Sequence, residues 1–244
     1  HLKNMRHHPL KEVKDVALIM INSLKEKYPN SFGHKQYKEE EKYLEASQGE
    51  VAYMKPFKVK GVEYKSFIRK DILKRYINIL KNRTNKAELP YQIKSAGEMV
   101  VKYSIDFGSY RDIQRQRSVI MPQPLLTTKL GFHSWYLNNF PKTFRIKLET
   151  ELKKLTVAIN ALKCSDEDKQ YYIGMGFQVS LEMTASIPAL VYVAELRSGT
   201  TVHASLRPIA QEFGNILKKE IPGIKIYTDE SLDEFSTKRG VQDI

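Results

Sequence analysis

The chain has 244 residues, 41% hydrophobic and 28% charged, a balance that argues against wholesale disorder and is typical of a globular protein. Its formal net charge of +12 indicates an anionic partner or substrate, such as nucleic acid, a nucleotide or an acidic protein. The single cysteine, Cys164, excludes an internal disulfide and a cysteine-cluster metal site, and we expect it to be buried.

Neither a membrane span nor a signal peptide is recognisable. No apolar run approaches the ~18 residues that a spanning helix requires, and the N-terminus is polar and rich in His, Lys and Arg. We therefore expect a soluble, cytoplasmic protein with no membrane partner. The chain begins with His1 rather than Met, which suggests that a preceding region is missing.

The first 90 residues predict a mainly helical N-terminal extension. Residue spacing predicts helices over 9–28, 37–44 and 67–80, and a short strand pair over 57–64. A polar stretch that ends at Pro90 places the main domain boundary there. We therefore divide the chain into an N-terminal extension over 1–90, a main domain over 91–225 and a C-terminal tail over 226–244.

The next stretch predicts a strand followed by a helix. Apolar and polar residues alternate over 98–107, which is the period of a β-strand. Gly108 ends the alternation, and Ser109 with Asp112 predicts the start of a helix that runs to about Ser118. Two prolines further on then predict an extended or irregular segment.

The remaining sequence repeats this combination of elements. Alternation over 177–183 predicts a second strand of the same sheet. Helices are predicted over 141–163, from Ser186 to Gly199 and from near Ser205 to Pro222. The fold class is therefore mixed α/β (α+β).

The first of two candidate sites is the cluster Arg111-Asp-Ile-Gln-Arg115-Gln-Arg117. A helix start supplies free N–H groups, and guanidinium groups match the geometry of phosphate, so three arginines there suit an anion site. Helical spacing predicts Arg111 and Arg115 on one face and Arg117 on another. A solvated basic face is the alternative interpretation.

The second candidate site is Glu195-Leu-Arg197-Ser-Gly-Thr-Thr-Val-His203. Arg197 closes one predicted helix, and His203 lies just before the next. Structural roles are open for both residues, because Arg197 can complement the C-terminus of its own helix and His203 can be a local cap.

Together the two clusters resemble the motifs of the flavin-dependent thymidylate synthase family. Phe-Gly-Ser-Tyr followed by Arg-Asp-Ile-Gln-Arg-Gln-Arg is similar to the signature helix, R-H-R-x-x-S with its lead-in, and Ala-Glu-Leu-Arg-Ser-Gly-Thr-Thr-Val-His is similar to the second block, Leu-Arg…His. Order and approximate spacing agree over about residues 95–220. The resemblance implies a central, mostly antiparallel sheet flanked by helices.

The resemblance also implies an activity. Members of that family methylate dUMP to dTMP with FAD, NADPH and methylene-tetrahydrofolate, work as homotetramers and use no metal. Carried onto this sequence, the flavin contacts fall on Arg115, Gln116, Arg117 and His203, and the nucleotide contacts fall on Arg111 and Arg197. No residue is assigned as catalytic.

Differences from the motifs leave a non-catalytic alternative open. Gln116 stands where the family has histidine, and two extra residues separate His203 from its arginine. Pro122 and Pro124 interrupt the segment after Arg117, where the family positions its nucleotide. A domain that binds flavin or nucleotide without methyl transfer, within a longer duplicated protein, is therefore the first alternative.

The second alternative is a basic nucleic-acid-binding protein. Residues 58–86 hold ten Lys or Arg against two acidic residues, interleaved with Tyr64, Phe67 and Tyr76. The solvated face of a helix is the plain explanation of such a run.

Overall fold

Three strands form one antiparallel sheet in the computed structural model, which describes residues 2–32, 35 and 37–231. The strands, in spatial order, are β1 (Glu63–Ser66), β2 (Glu98–Asp106) and β3 (Gln178–Ser186). The central strand β2 pairs with β3 along its whole length, from Glu98 opposite Ser186 to Asp106 opposite Gln178. The predicted mixed α/β class, its antiparallel sheet and the strands over 98–107 and 177–183 are confirmed.

Helices make up most of the remaining described structure. They are α1 (Leu2–Met5), α2 (Lys11–Lys27), α3 (Pro29–Phe32), α4 (Lys38–Val51), α5 (Lys70–Leu73), α6 (Ile77–Asn82), α7 (Phe107–Ile113), α8 (Ser134–Asn138), α9 (Lys142–Ala161), α10 (Asp166–Lys169), α11 (Ile187–Ser198) and α12 (Arg207–Glu220). The predicted helices at 9–28 and 141–163, and those entered at Ser186 and Ser205, are confirmed. Within the described ranges, no helix is long and apolar enough to cross a membrane.

Two predictions are wrong, and a third is confirmed in part. The strand pair over 57–64 is absent, because β1 begins only at Glu63 and pairs with the distant strand β2. The helix over 67–80 is present as α5, a 3₁₀ turn at Lys74–Tyr76 and α6, which follow one another directly. Cys164 is exposed rather than buried, since it lies in the connection between α9 and α10.

The core lies between the sheet and the last two long helices. Alternate residues of β2 and β3 point inward, and α11 is buried along most of its length. Helix α12 buries one face, where Phe213 meets Tyr103 edge-on at 5.2 Å between ring centroids. Fully buried members of this core include Met99, Tyr103, Ile105, Leu181, Met183, Leu190 and Phe213.

Residues on both sides of position 90 contribute to this core. Strand β1 pairs with β2, and Leu73 and Leu80 belong to the same buried cluster as the inward face of the sheet. The division of the chain at residue 90 stays a prediction. Of the predicted tail, residues 232–244 lie outside the described residues.

A buried ion pair joins three distant segments. The Arg83 guanidinium, in a side chain 5% exposed, donates to both carboxylate oxygens of Glu195 on α11, at 2.5 and 2.6 Å. It also donates to the carbonyl oxygens of Ala87 (2.8 Å) and Lys225 (3.0 Å). The Tyr227 backbone N–H donates to the same Glu195 carboxylate at 2.8 Å. The pair therefore fixes α11 against residues 83–87 and 225–227.

We predict that Glu195→Gln destabilises the protein by about 3–5 kcal/mol, because it leaves the Arg83 charge buried without its counter-ion. The free energy of unfolding is measured by urea titration. Lys102→Gln is the matched control, since the Lys102–Glu182 pair is 41% and 36% exposed and is expected to contribute less than about 1 kcal/mol. Equal losses in the two variants would contradict a stabilising role for the buried pair.

Candidate functional site

Helix α7 begins directly where β2 ends, and Asp106 caps it. Its carboxylate accepts the Ser109 backbone N–H at 2.9 Å, while Phe107 N–H and Gly108 N–H donate to the carbonyls of Phe177 (2.8 Å) and Met175 (2.9 Å). The cap is thus Asp106 rather than the predicted Ser109, which already lies in the first turn. The helix starts earlier than predicted because the segment before β3 supplies carbonyl acceptors for the N–H groups of Phe107 and Gly108, which have no partner within the helix.

The Asp106 carboxylate is the centre of a buried polar network. Its side chain has no exposed surface and accepts hydrogen bonds from the Ser205 hydroxyl and, at 3.2 Å, from the Tyr136 hydroxyl. The hydroxyl oxygens of Ser109 and Ser205 are 2.8 Å apart. One carboxylate therefore links the end of β2, the start of α7, helix α8 and the loop between α11 and α12.

His203 lies at the outer edge of this network. Its Nδ1 is 2.8 Å from the Ser205 hydroxyl oxygen, and its ring is half-exposed. The ring stacks on Tyr136 at 5.5 Å between centroids and meets Trp135 edge-on at 4.4 Å. Because the Ser205 hydroxyl donates to Asp106, Nδ1 is the donor in its contact with that hydroxyl, and the Ser205 backbone nitrogen lies 3.3 Å from Nδ1. Two aromatic rings and one serine thus fix the imidazole orientation.

The order of these groups differs from that of a nucleophilic triad. In such a triad histidine lies between the serine and the carboxylate, so that it can take the serine proton. Here Ser205 lies between Asp106 and His203, donates its proton to the carboxylate and is itself buried. The network is therefore suited to orienting His203 and not to activating Ser205.

Burial and hydrogen bonds together set the protonation states of the titratable groups in and beside the network. Burial by itself raises the pKa of Asp106, but hydrogen bonds from Ser205 and Ser109 outweigh it and leave this pKa below its usual value. Burial, with the Asp106 charge second, raises the pKa of Tyr136 to about 12. Burial lowers the pKa of His133, in the turn before α8. At neutral pH Asp106 is thus a carboxylate and Tyr136 a neutral donor.

The arginine cluster lies at the C-terminal end of α7 and not at a helix start as predicted, so free helix N–H groups do not contribute to an anion site there. The helix ends at Ile113, so the predictions that it reaches Ser118 and that Arg111 and Arg115 share a helical face are wrong. Arg111, Arg115 and Arg117 are all exposed, and Arg115 lies only 3.6 Å from the Asp112 carboxylate with 69% of its side chain exposed. Gln116, by contrast, is 9% exposed, and its backbone N–H donates to the Ile113 carbonyl oxygen at 3.0 Å.

Arg197 connects α11 to this end of α7. Its Nη2 donates to the Asp112 carbonyl oxygen at 2.7 Å, across a sequence separation of 85 residues. Because that carbonyl belongs to the last turn of α7, the contact satisfies a helix end that would otherwise lack a partner. The Nε atom of Arg197 is buried and has no hydrogen-bond partner among the described residues.

The structure thus brings the two predicted clusters to one short helix but divides the second cluster between its ends. Arg197 is bonded to the C-terminal end of α7, where the arginine cluster lies, and His203 reaches the N-terminal end through Ser205. Seven residues of helix separate these ends by about 10 Å. Within residues 2–231 as described, no hydrogen bond or ion pair joins the His203 side chain to any of these arginines.

Sequence reasoning missed Asp106, Tyr136, Trp135 and Ser205. An aspartate three residues before Ser109, at the end of a predicted strand, is a local signal for an N-cap that identifies the first of them. No local pattern indicates the other three, since they come from segments 29 to 99 residues away. Among the described residues, no group of three or more His, Cys, Asp or Glu side chains is placed to hold a metal ion.

We predict that the stability advantage of the native protein over Asp106→Asn decreases as pH falls. The pKa of Asp106 is lower in the folded state than in the unfolded state, where the pKa of an aspartate is about 3.9. Its contribution is therefore fully present above the unfolded pKa and is lost as pH falls through the folded pKa. Urea titrations from about pH 6 to pH 3 measure it, and a pH-independent difference would contradict a lowered pKa for Asp106.

Comparison with known proteins finds distant relatives. No family matches in a scan of known protein families. A UPF0159 protein of Chlamydia muridarum (strain MoPn / Nigg) is 27% identical over 131 residues, which are 53% of this chain and 25% of that protein. A UPF0159 protein of Chlamydia pneumoniae is 26% identical over 148 residues, 57% of this chain and 26% of that protein. The chain spans about a quarter of the length of the curated relatives that it matches.

Proposed function

We propose that the chain is a flavin-dependent thymidylate synthase-like protein that binds FAD and dUMP and methylates dUMP to dTMP, with methylene-tetrahydrofolate and NADPH as co-substrates. One observation carries this proposal: both motif blocks meet on α7. Arg197 bonds to Asp112 at one end of the helix, and His203 reaches Asp106 through Ser205 at the other. The two motif blocks are about 90 residues apart in sequence, and a binding region that both contribute to requires such contacts between them.

The charges at the C-terminal end of α7 suit phosphate groups. Arg111, Arg115 and Arg117 are exposed, and the weak ion pair of Arg115 with Asp112 leaves most of its guanidinium accessible. A guanidinium group binds phosphate through two parallel hydrogen bonds, which is stronger than a contact between neutral groups. These arginines therefore provide the anion contacts that a nucleotide or FAD needs.

Arg197 supports the same assignment through its position. Its Nη2 donates to the Asp112 carbonyl oxygen at 2.7 Å, one residue after Arg111 and three before Arg115. A guanidinium held there can add a further charge-assisted contact to an anionic ligand. We therefore assign Arg197 to the nucleotide, as well as to the end of α7.

His203 and its neighbours provide an aromatic surface for a flat ring. Trp135 and Tyr136 pack on the imidazole, and Ser205 fixes its orientation through Asp106. The flavin, when bound, supplies the redox chemistry, and the residues of the chain position its ring and phosphates. In this proposal His203 contacts the flavin and the arginines contact phosphate.

A homo-oligomer, by resemblance a tetramer in the cytoplasm, would complete the site. All three arginines of the cluster are exposed. Two large apolar side chains of α11 are also exposed near Arg197, namely Tyr192 (48%) and Leu196 (42%). A neighbouring subunit that covers them would also enclose the nucleotide.

A second candidate function is binding without methyl transfer. After Arg117 the chain does not continue as a helix but runs along β3, where Ile120 and Thr184 exchange backbone hydrogen bonds of 2.9 and 2.8 Å. The following residues are fixed by Leu125 N–H, which donates to the Met54 carbonyl at 2.9 Å. A displacement of about 1 Å in the acceptor costs on the order of a hundredfold in rate, whereas phosphate binding tolerates looser geometry. A binding domain within a longer protein also fits the length comparison, because this chain matches only about a quarter of the length of each relative.

We predict that Arg115→Ala and Arg197→Ala each weaken binding of dUMP or FAD by about tenfold or more, since each removes a charge-assisted contact. Isothermal titration calorimetry measures the affinities. Arg145→Ala on α9 is the matched control, because this arginine is also exposed and pairs with a carboxylate, Glu149, at 3.0 Å. Unchanged affinity in both site variants would identify these arginines as surface and structural charges only.

Tritium release from 5-labelled dUMP distinguishes the two candidate functions. With FAD, NADPH and methylene-tetrahydrofolate present, we expect release that depends on both the folate and the flavin. Purified protein that binds flavin and dUMP but releases no tritium would establish the binding function and refute the synthase. Protein that binds neither ligand would refute both.

A further inference from the structure

Most of the net charge of the chain comes from one stretch that precedes the arginine cluster in the sequence. Ten Lys or Arg against Glu63 and Asp71 give residues 58–86 a charge of +8, two thirds of the formal +12 of the whole chain. Arg83 is occupied by its ion pair with Glu195. The other nine cations of this stretch are exposed. The fold therefore leaves them available to an anionic partner.

Part of this charge forms an ordered row beside the edge strand β1. Exposed and half-buried residues alternate from 63 to 69, and the pairing with the β2 side continues beyond the strand, because Phe67 N–H donates to the Glu98 carbonyl (2.9 Å) and Arg69 N–H to the Ala96 carbonyl (2.7 Å). Lys65, Phe67 and Arg69 consequently face the same way, about 7 Å apart along the chain. Cation, aromatic ring and cation alternate on the surface.

A second aromatic–cation pair lies on the neighbouring 3₁₀ turn, Tyr91–Ala96. The Lys94 Nζ is 4.4 Å from the centroid of the Tyr91 ring, and Tyr91 is 73% exposed. The Arg69 guanidinium donates to the Ser95 carbonyl at 2.5 Å, so this turn adjoins the row described above. Phe67 is 57% exposed. We name the surface made by Lys65, Phe67, Arg69, Lys70, Tyr91 and Lys94 the basic–aromatic strip.

We propose that the basic–aromatic strip binds single-stranded nucleic acid. Such a ligand presents both groups that the strip matches, a charged backbone for the cations and unpaired bases that stack on exposed rings. The bases of a duplex are already stacked on each other, so the two rings favour a single strand. Among the described residues, no ion pair uses Lys65, Arg69, Lys70 or Lys94, although the carboxylates of Glu63, Asp71 and Glu98 lie on neighbouring positions.

The test is fluorescence anisotropy of a labelled oligothymidine of about 20 nucleotides, titrated with the full chain between about 50 and 200 mM salt. The double variant Phe67→Ala/Tyr91→Ala should weaken binding at least about tenfold, because it removes two stacking surfaces. The double variant Lys65→Gln/Lys94→Gln should reduce the slope of log affinity against log salt by about 1.4, since each phosphate contact to a single strand contributes about 0.7. Thermal unfolding verifies that each variant is folded.

One control separates this surface from general charge. Lys147→Gln/Lys153→Gln makes the same change of charge on exposed positions of α9, to which no binding role is assigned. It should leave oligonucleotide affinity within about twofold of the native protein, apart from a small long-range charge effect. Loss in this control equal to that in Lys65→Gln/Lys94→Gln would overturn the proposal.

Competitors of other chemistry complete the test. Polyglutamate and vesicles of anionic lipid carry charge without bases. If either one binds as tightly as the oligonucleotide, or if Phe67→Ala/Tyr91→Ala retains full oligonucleotide affinity, the strip is a general anion surface and the proposal is wrong. Weaker binding of both competitors, with loss in the ring variant, supports it.

Discussion

The buried carboxylate of Asp106 is the interaction on which the geometry of the candidate site depends. It ends β2, caps α7 and accepts hydrogen bonds from α8 and from the loop between α11 and α12. A buried charge of this kind is tolerated only when hydrogen bonds satisfy it, so the segments that donate to it are held in place. The orientation of His203 and the path of the chain after β2 both follow from one side chain.

The last turn of α11 is the second point that fixes the site. Glu195 holds this turn to Arg83, and Arg197 holds it to the end of α7. Ser198 adds two more contacts, since its carbonyl accepts from Arg207 Nε (2.9 Å) and its hydroxyl from Asp229 N–H (2.9 Å). Since α11 is also buried along most of its length, Arg197 has little freedom to move without disturbing the core.

The sequence predicted what depends on local periodicity and missed what depends on distant partners. The alternation over 98–107 and 177–183 identified β2 and β3, because each buries one face and the other remains partly accessible. The four-residue edge strand β1 has too few residues for a clear period and exists through its pairing with β2. The predicted bounds of α7 were wrong at both ends because distant segments contact the helix there. Residues 175–177 supply acceptors at its start, and Arg197 binds the carbonyl at its end.

Composition alone gives the same weight to every cation, whereas the fold divides them into two groups. Arg83 and Arg207 are buried, and their donors are bonded to carboxylate or carbonyl oxygens of the chain. A guanidinium used in this way holds segments together and has little capacity left for a ligand. Exposed cations without a strong carboxylate partner form the other group, and they occur both in the cluster at the end of α7 and in the basic–aromatic strip.

The aromatic neighbours differ between these two surfaces. Near α7 the neighbour is a histidine held by Trp135 and Tyr136, and along the strip the neighbours are two exposed rings. A single flat ring with its phosphates suits the histidine and arginines near α7, and a chain of repeating bases and phosphates suits the row along the strip.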